Sequence, residues 1–362
     1  MSEPQRDEMD LIGAIDEKVS KIRTAGLDIS LNELSGLYNI DELVIEPEYQ
    51  RLFRWSEGKQ SRFIESILLG MPLPPIFVIE QDDGVYNLID GLQRISSYLH
   101  FLGIHEDFKG EDRFLKLTDC DIVEELNGCS YGDLPKALQI KLKRSFIRVV
   151  VIKAGSDARL SYYMFKRLNT GGEQLTDQEI RNCTIRLLDN TFNGFIIDLS
   201  KNEDYKLCAN INEIKIKQKL DQELVLRFFA FKNYRDKYVH NVGDFMTDYM
   251  EAVSDLERTD VFFDYDGERT IFNKTFKILR TIFEDHPFSR VYQYEAFTLG
   301  IQKYLDKIDL SDDKMMKKLK SEFHLIVSDD EFHEIITGGG KNYPNPLQKR
   351  IQFVEDRLEH IL

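Results

Sequence analysis

The stretch "YNLIDGLQRISSYLHFLG", Tyr86 to Gly103, opens with alternating apolar residues, halts at Asp90-Gly91 and resumes with helical periodicity. Asp90, Gly91, Gln93 and Arg94 together are costly to hide, so the turn is expected to be exposed and functional. Glycine at a strand-to-helix junction lets the backbone approach a ligand and adopt torsions other residues resist. The helix that follows at once presents unpaired N–H groups and its positive dipole end to whatever sits over the turn. That is an anion site, with phosphate the natural occupant. Arg94 adds a planar fork suited to phosphate oxygens, and Gln93 can donate and accept. Asp90, at the strand's end, is the candidate to hold a metal ion that bridges phosphates or to orient a water. The structural alternative is a capping Asp90 and a solvated Arg94.

Two further stretches carry similar chemistry. In "YQRLFRW", Tyr49, Gln50, Arg51, Arg54 and the only tryptophan, Trp55, fall between a strand and a helix. An aromatic ring beside arginines can stack a base while guanidinium groups hold phosphates; alternatively, Trp55 staples the helix start and Arg51 pairs with a carboxylate. In "FKRLNTGGEQLTDQEIRN", Asn169, Thr170, Gly171 and Gly172 form a polar turn between two helices, either presenting N–H groups to a ligand or only stopping a helix. Thr176-x-x-Glu179 reads as a capping box, which consumes Glu179 and leaves Arg181 and Asn182 to point elsewhere.

The elements that must position these residues follow from patterning. Asp7 to Ala25 has helical spacing, and Ser30-x-x-Glu33 reads as a capping box opening a second helix. "ELVIEP" reads as a strand ended by Pro47, and "SEGKQSRFIESILLG" as a helix capped by Ser56 and closed by Gly70. "IFVIE" and "VYNLI", separated by Asp83-Gly84, read as a hairpin. A Lys/Arg-rich helix near Leu134–Lys143 precedes a strand, "FIRVVVIK". From Ala158 onward β signals fade and helical periodicity dominates, apart from Lys215, Lys217 and Lys219, whose alternation suggests a solvated face or an edge-strand guard. The expected fold is α+β: an N-terminal helical arm over 1–29, a mixed domain over 30–190 and an all-helical domain over 191–362.

The 362 residues are 42% hydrophobic and 31% charged, the balance of a globular protein. No apolar run reaches about 18 residues and the N-terminus lacks an apolar signal core, so a cytoplasmic protein without a membrane partner is expected. Net charge is −15, which argues against general affinity for nucleic acid but leaves room for a local basic cleft. Cys120, Cys129, Cys183 and Cys208 form no Cys-x-x-Cys pair and read as reduced thiols.

"YQRLFRW", "FIESILLGMPLPP", "LIDGLQR" and "FKRLNTGGEQLTDQEIRN", in this order from about Leu31 to Asn182, resemble the N-terminal domain of GmrSD-type restriction proteins, a domain of ParB/sulfiredoxin-like fold. The resemblance implies nucleotide binding and NTP hydrolysis, with GTP or ATP and Mg2+, in restriction of foreign DNA. By that resemblance Asp90, Gln93 and Arg94 are catalytic and Asp90 holds the metal. Tyr49, Gln50 and Arg51 match the family's companion motif, and with Trp55, Gly91, Asn169, Thr170 and Gly171 they are the expected nucleotide contacts. Full-length members continue into an HNH nuclease domain. None of the seven histidines here sits in a compact His…Asn…His hairpin pattern, so a separately encoded effector, such as a nuclease, is the expected partner. A homo-oligomer and contact with DNA are further expectations.

Two other readings stand beside the NTPase. One is a sensor that binds nucleotide or nucleic acid without hydrolysis and regulates a nuclease or toxin. The other is direct metal-dependent DNA cleavage by the ParB-like domain, which the acidic balance and the absence of a clustered carboxylate or histidine motif disfavour. "TGGGKNYPNP", Thr337 to Pro346, is not a P-loop: Ile335 stands at the first glycine position and Asn342 replaces the hydroxyl residue. With Lys341, Lys349 and Arg350 it could still touch nucleic acid or a partner. His100, on an apolar helix, is expected to be a packed residue.

Overall fold

A computed structural model describes residues 8–21, 23–45, 55–168, 176–258, 260–284, 288 and 290–362. The chain divides into two compact units, Met1–Met164 and Phe165–Leu362. The first contains α1 (Glu8–Val19), β1 (Thr24–Ser30), α2 (Leu31–Asn39), β2 (Leu43–Val44), α3 (Glu57–Leu69), β3 (Ile76–Glu80), β4 (Tyr86–Asp90), α4 (Leu92–Leu102), α5 (Lys136–Arg144) and β5 (Phe146–Ile152). The division falls within α6 (Ala158–Leu168).

The strands form one mixed sheet in the order β1-β5-β3-β4-β2. The β3–β4 hairpin is antiparallel, as the turn signal required, while β3 runs parallel to β5 and β2 parallel to β4. In β5, Ile147, Val149 and Val151 are buried and alternate with exposed Phe146 and Arg148, the two-residue period of a strand with one covered face. Those three join Ile76, Val78 and Leu88 against Leu34, Ile64, Ile67, Ile95 and Leu99 of the covering helices. The β3–β4 ladder carries an irregularity: Phe77 pairs with Asp90 and Val78 with Leu88, so Ile89 is an extra residue, a bulge immediately before the turn.

Two sequence expectations are corrected in the first and second units. The helix expected from Asp7 to Ala25 ends at Val19, because Thr24–Ser30 pairs antiparallel with β5 along its whole length, from Thr24↔Ile152 to Ser30↔Phe146. Its alternation is weak because an edge strand packs little of either face. The alternating lysines are likewise not on a strand. Lys215 and Lys217 lie in the short helix Glu213–Lys217, capped by the Asn212 side chain.

The second unit consists, in its described residues, of helices and turns: α7 (Asp177–Thr184), α8 (Thr191–Leu199), α9 (Glu203–Ala209), α10 (Glu213–Lys217), α11 (Leu220–Asn233), α12 (Val242–Ser254), α13 (Tyr265–Phe283), α14 (Val291–Gly300), α15 (Asp313–Val327), α16 (Asp330–Ile336) and α17 (Pro344–Glu359). Their core is dense in aromatic rings, with Phe192, Phe228, Phe229, Phe272, Phe276 and Phe297 almost wholly buried. The Thr176–Glu179 capping box forms in both directions. Arg181 and Asn182 do not reach outward; both are buried. Arg181 donates to Gln178 Oε1 (2.9 Å), Glu223 Oε2 (3.0 Å) and the Gly243 carbonyl (3.3 Å). Asn182 donates to Gln222 Oε1 at 2.6 Å and accepts from Gln178. This network fastens α7 to α11 and α12. Truncating Arg181 to Ala should therefore destabilise the chain by about 3 kcal/mol in urea titration, since it strands Glu223 and Gln178. An unchanged midpoint would remove the network from the account of stability.

Candidate functional site

The site is built where β4 hands over to α4. Gly91 is the N-cap of α4, with φ of +111°, a torsion that side chains resist. It also has no room for one: a Cβ at this position would lie 2.4 Å from Ile76 Cγ2 of the neighbouring strand. Sterics on both counts require glycine. Glycine offers no capping side chain to the first turn of this 11-residue helix.

Asp90 and Arg94 bracket this turn. Arg94 Nη2 donates to Asp90 Oδ2 at 2.8 Å, one helical turn away. The two members differ in exposure: the Arg94 side chain is 13% exposed and that of Asp90 48%. The guanidinium is thus held down over the turn while the carboxylate reaches solvent. An ion pair of this partial exposure contributes little stability, so its value is positional. Neither capping by Asp90 nor solvation of Arg94, the bland alternative, describes what is seen.

Gln93 works in a different direction. Its Oε1 accepts the Trp55 backbone N–H at 3.0 Å, while Gln60 Nε2 donates to the Trp55 carbonyl at 3.0 Å. Both backbone groups of Trp55 are therefore clamped, one by α4 and one by α3. The indole lies edge-on against Phe63, ring centroids 5.8 Å apart. Gln60 continues to His100, whose Nδ1 lies 2.8 Å from Gln60 Oε1 and whose Nε2 lies 2.8 Å from the Asp112 carbonyl. His100 is buried and stacks on Phe108 at 3.7 Å, the packed residue its sequence context implied. Burial pushes its pKa down, with the Asp112 carbonyl opposing. Sequence reasoning missed Gln60 and the hydrogen bonds that join it to His100. Their only signal was polarity at buried helix positions, which is legible only once α3 and α4 are known to pack together.

Of the residues singled out by sequence, Asp90, Gly91, Gln93, Arg94 and Trp55 are brought together here. Tyr49, Gln50, Arg51, Asn169, Thr170 and Gly171 lie outside the described residues. Among the described residues no group of three or more His, Cys, Asp or Glu side chains gathers as a metal site, so Asp90 is a single carboxylate donor. A single carboxylate could hold a magnesium ion only together with phosphates and waters, once released from Arg94. Among the described residues, also, no helix is long and apolar enough to cross a membrane.

Comparison with known proteins bears on this geometry. Residues 31–186 match the family model for the GmrSD restriction endonuclease N-terminal domain. The matched segment contains β2 to β5, the Asp90–Arg94 turn and α7. No curated protein and no solved structure matches the chain.

Two outcomes follow from the turn. Gly91→Ala should cost roughly 2–4 kcal/mol, the sum of a strained torsion and a clash with Ile76, read from the urea midpoint. Gln93→Ala frees the Trp55 N–H, and because Trp55 is the sole tryptophan its emission should shift to the red with the chain still folded. Unshifted emission would mean that the clamp does not hold the indole in place.

Proposed function

We propose that this chain, whose residues 31–186 match the GmrSD N-terminal domain model, is a component of a restriction or defence system and that the Asp90–Arg94 turn is where it handles a nucleoside triphosphate. The observation that carries the reading is a guanidinium held over a helix N-terminus whose cap is a glycine with φ of +111°. A phosphate placed there meets backbone N–H groups, the positive end of α4 and Arg94 without an intervening side chain.

The ion pair sets the terms of binding. A phosphate that takes Arg94 displaces Asp90, and a free carboxylate beside a phosphate repels it. Mg2+ bound through Asp90 would remove that repulsion and withdraw charge from the phosphate oxygens. Nucleotide binding is then metal-dependent, and Arg94 changes partner as it occurs. Gln93 shares the first turn of α4 with Arg94 and holds Trp55, so a shift of this turn passes to the chain entering α3. In this reading hydrolysis of GTP or ATP switches a separately encoded effector that acts on DNA.

A second reading is favoured by the same ion pair. Asp90 is engaged by Arg94 and not set aside for a water, which suits a module that binds nucleotide without hydrolysing it. Phosphate release from each NTP with Mg2+, with and without DNA, separates the two. The hydrolytic reading expects turnover that falls at least tenfold, or about 1.4 kcal/mol, in Arg94→Ala. Asp90→Asn should lose turnover while binding nucleotide in EDTA more tightly than the wild type does, because the repelling charge is gone. Binding without turnover in the wild type establishes the sensor. Nucleotide affinity unaffected by either substitution removes the turn from the site.

A further inference from the structure

Outside this turn, the second unit buries unbalanced charge. Glu295 of α14 is ion-paired through Oε1 to Arg227 Nη1 of α11 at 2.8 Å and through Oε2 to Arg350 Nη2 of α17. Glu295 and Arg350 are each 1% exposed and Arg227 is 9% exposed. One carboxylate serves two guanidinium groups, which leaves one unbalanced positive charge in a largely buried cluster. Nε of Arg227 and Nε of Arg350 both stand without a hydrogen-bond partner among the described residues. Tyr238, close to all three, does not supply the missing anion. Burial first, and then Glu295, pushes its hydroxyl up to about 12.

A cavity of about 410 Å³ opens beside this cluster, lined by Arg227, Arg290, Tyr292, Thr337, Gly338 and Asn342 with apolar walls from Val291 and Ile336. A smaller one of about 190 Å³ shares Arg290 and Val291 and includes Lys215 and Asn210. Among the described residues neither lining contains Asp or Glu, in a chain of net charge −15. The glycine-rich segment that fails as a P-loop is a wall of this cavity. It is tied in place: Lys341 Nζ donates to the Glu334 carbonyl at 2.8 Å, and Arg350 Nη1 donates to the Lys341 carbonyl at 3.1 Å. Neither Lys341 nor Arg350 is therefore deployed outward as a nucleic-acid contact.

We propose that this cavity binds a small organic phosphate monoester, with the phosphate against Arg227 and Arg290 and an apolar or aromatic body against Tyr292, Val291 and Ile336. The anion completes the charge of the Arg227–Glu295–Arg350 cluster, and the volume lies within the range of small-molecule sites. The site lies wholly within the second unit and does not rest on the reading of the Asp90–Arg94 turn.

The test uses the full chain carrying Arg94→Ala, which disables the first site, with AMP and inorganic phosphate as probes in calorimetry. AMP should bind saturably, at least tenfold more tightly than inorganic phosphate. Adding Arg290→Glu should abolish AMP binding with an unchanged melting temperature, since Arg290 is exposed and outside the buried cluster. In an otherwise wild-type chain, Arg290→Glu should leave NTP turnover unaltered. AMP binding that survives Arg290→Glu overturns the site, as does the absence of AMP binding in Arg94→Ala. Equal affinity for phosphate and AMP overturns the role of the apolar walls. Affinity that climbs with each added nucleotide of a single strand overturns the small ligand in favour of a polymer. Loss of NTP turnover in Arg94→Ala with no AMP site leaves the first reading standing and this one refuted.

Discussion

The first unit depends on a close approach that only one residue type permits. Ile76 of β3 fills the space where a side chain at position 91 would be, and the torsion at 91 is one that L residues avoid. This contact sets where β4 stops and α4 begins. It thereby fixes the two residues that act from the first turn of α4 in opposite directions: Arg94 back onto Asp90, Gln93 across to Trp55. Without it, neither the guanidinium nor the amide has a defined place.

Two polar networks in this chain perform different work at different depths. The one through Gln93, Trp55, Gln60 and His100 is carried by side chains reaching to backbone groups, and it secures a chain segment between two helices. The one through Arg181, Asn182, Gln178, Gln222 and Glu223 is almost all side chain to side chain, and it substitutes for apolar contact inside a helical core. The family match runs to residue 186 and so includes α7 with Gln178, Arg181 and Asn182, but not their partners Gln222, Glu223 and Gly243, although α7 belongs to the second unit. Polar residues inside a matched segment can therefore serve to hold a helix in place.

Much of the first unit was legible in the sequence. The hairpin, the helix from Glu57 and the strand at Phe146–Ile152 are set by local rules: a turn dipeptide, a serine cap, a two-residue period. The Asp90–Arg94 turn was legible for the same reason, since a glycine between a strand and a helix leaves few conformations. What escaped was decided at a distance. Thr24–Ser30 is a strand because β5 is available to pair with it. Arg181 and Asn182 are buried because three helices converge on them, and their polarity in sequence pointed the other way. The need for glycine at 91 comes partly from Ile76, fifteen positions earlier, and no local pattern carries it.

The bulge at Ile89 has a consequence for how such a site is spelled. Leu88 faces the helix-covered side of the sheet with Ile76 and Val78, and in a regular strand Asp90, two residues on, would face the same way. The extra residue changes the phase, so Asp90 takes its place opposite Phe77 instead of Ile76. The same five letters, DGLQR, at the end of an unbroken hairpin would drive their carboxylate into the oily layer beneath α3 and α4. Recognition of this turn in other chains is thus a matter of parity as well as of spelling, and an even or odd count along one strand separates a usable acid from a folding defect.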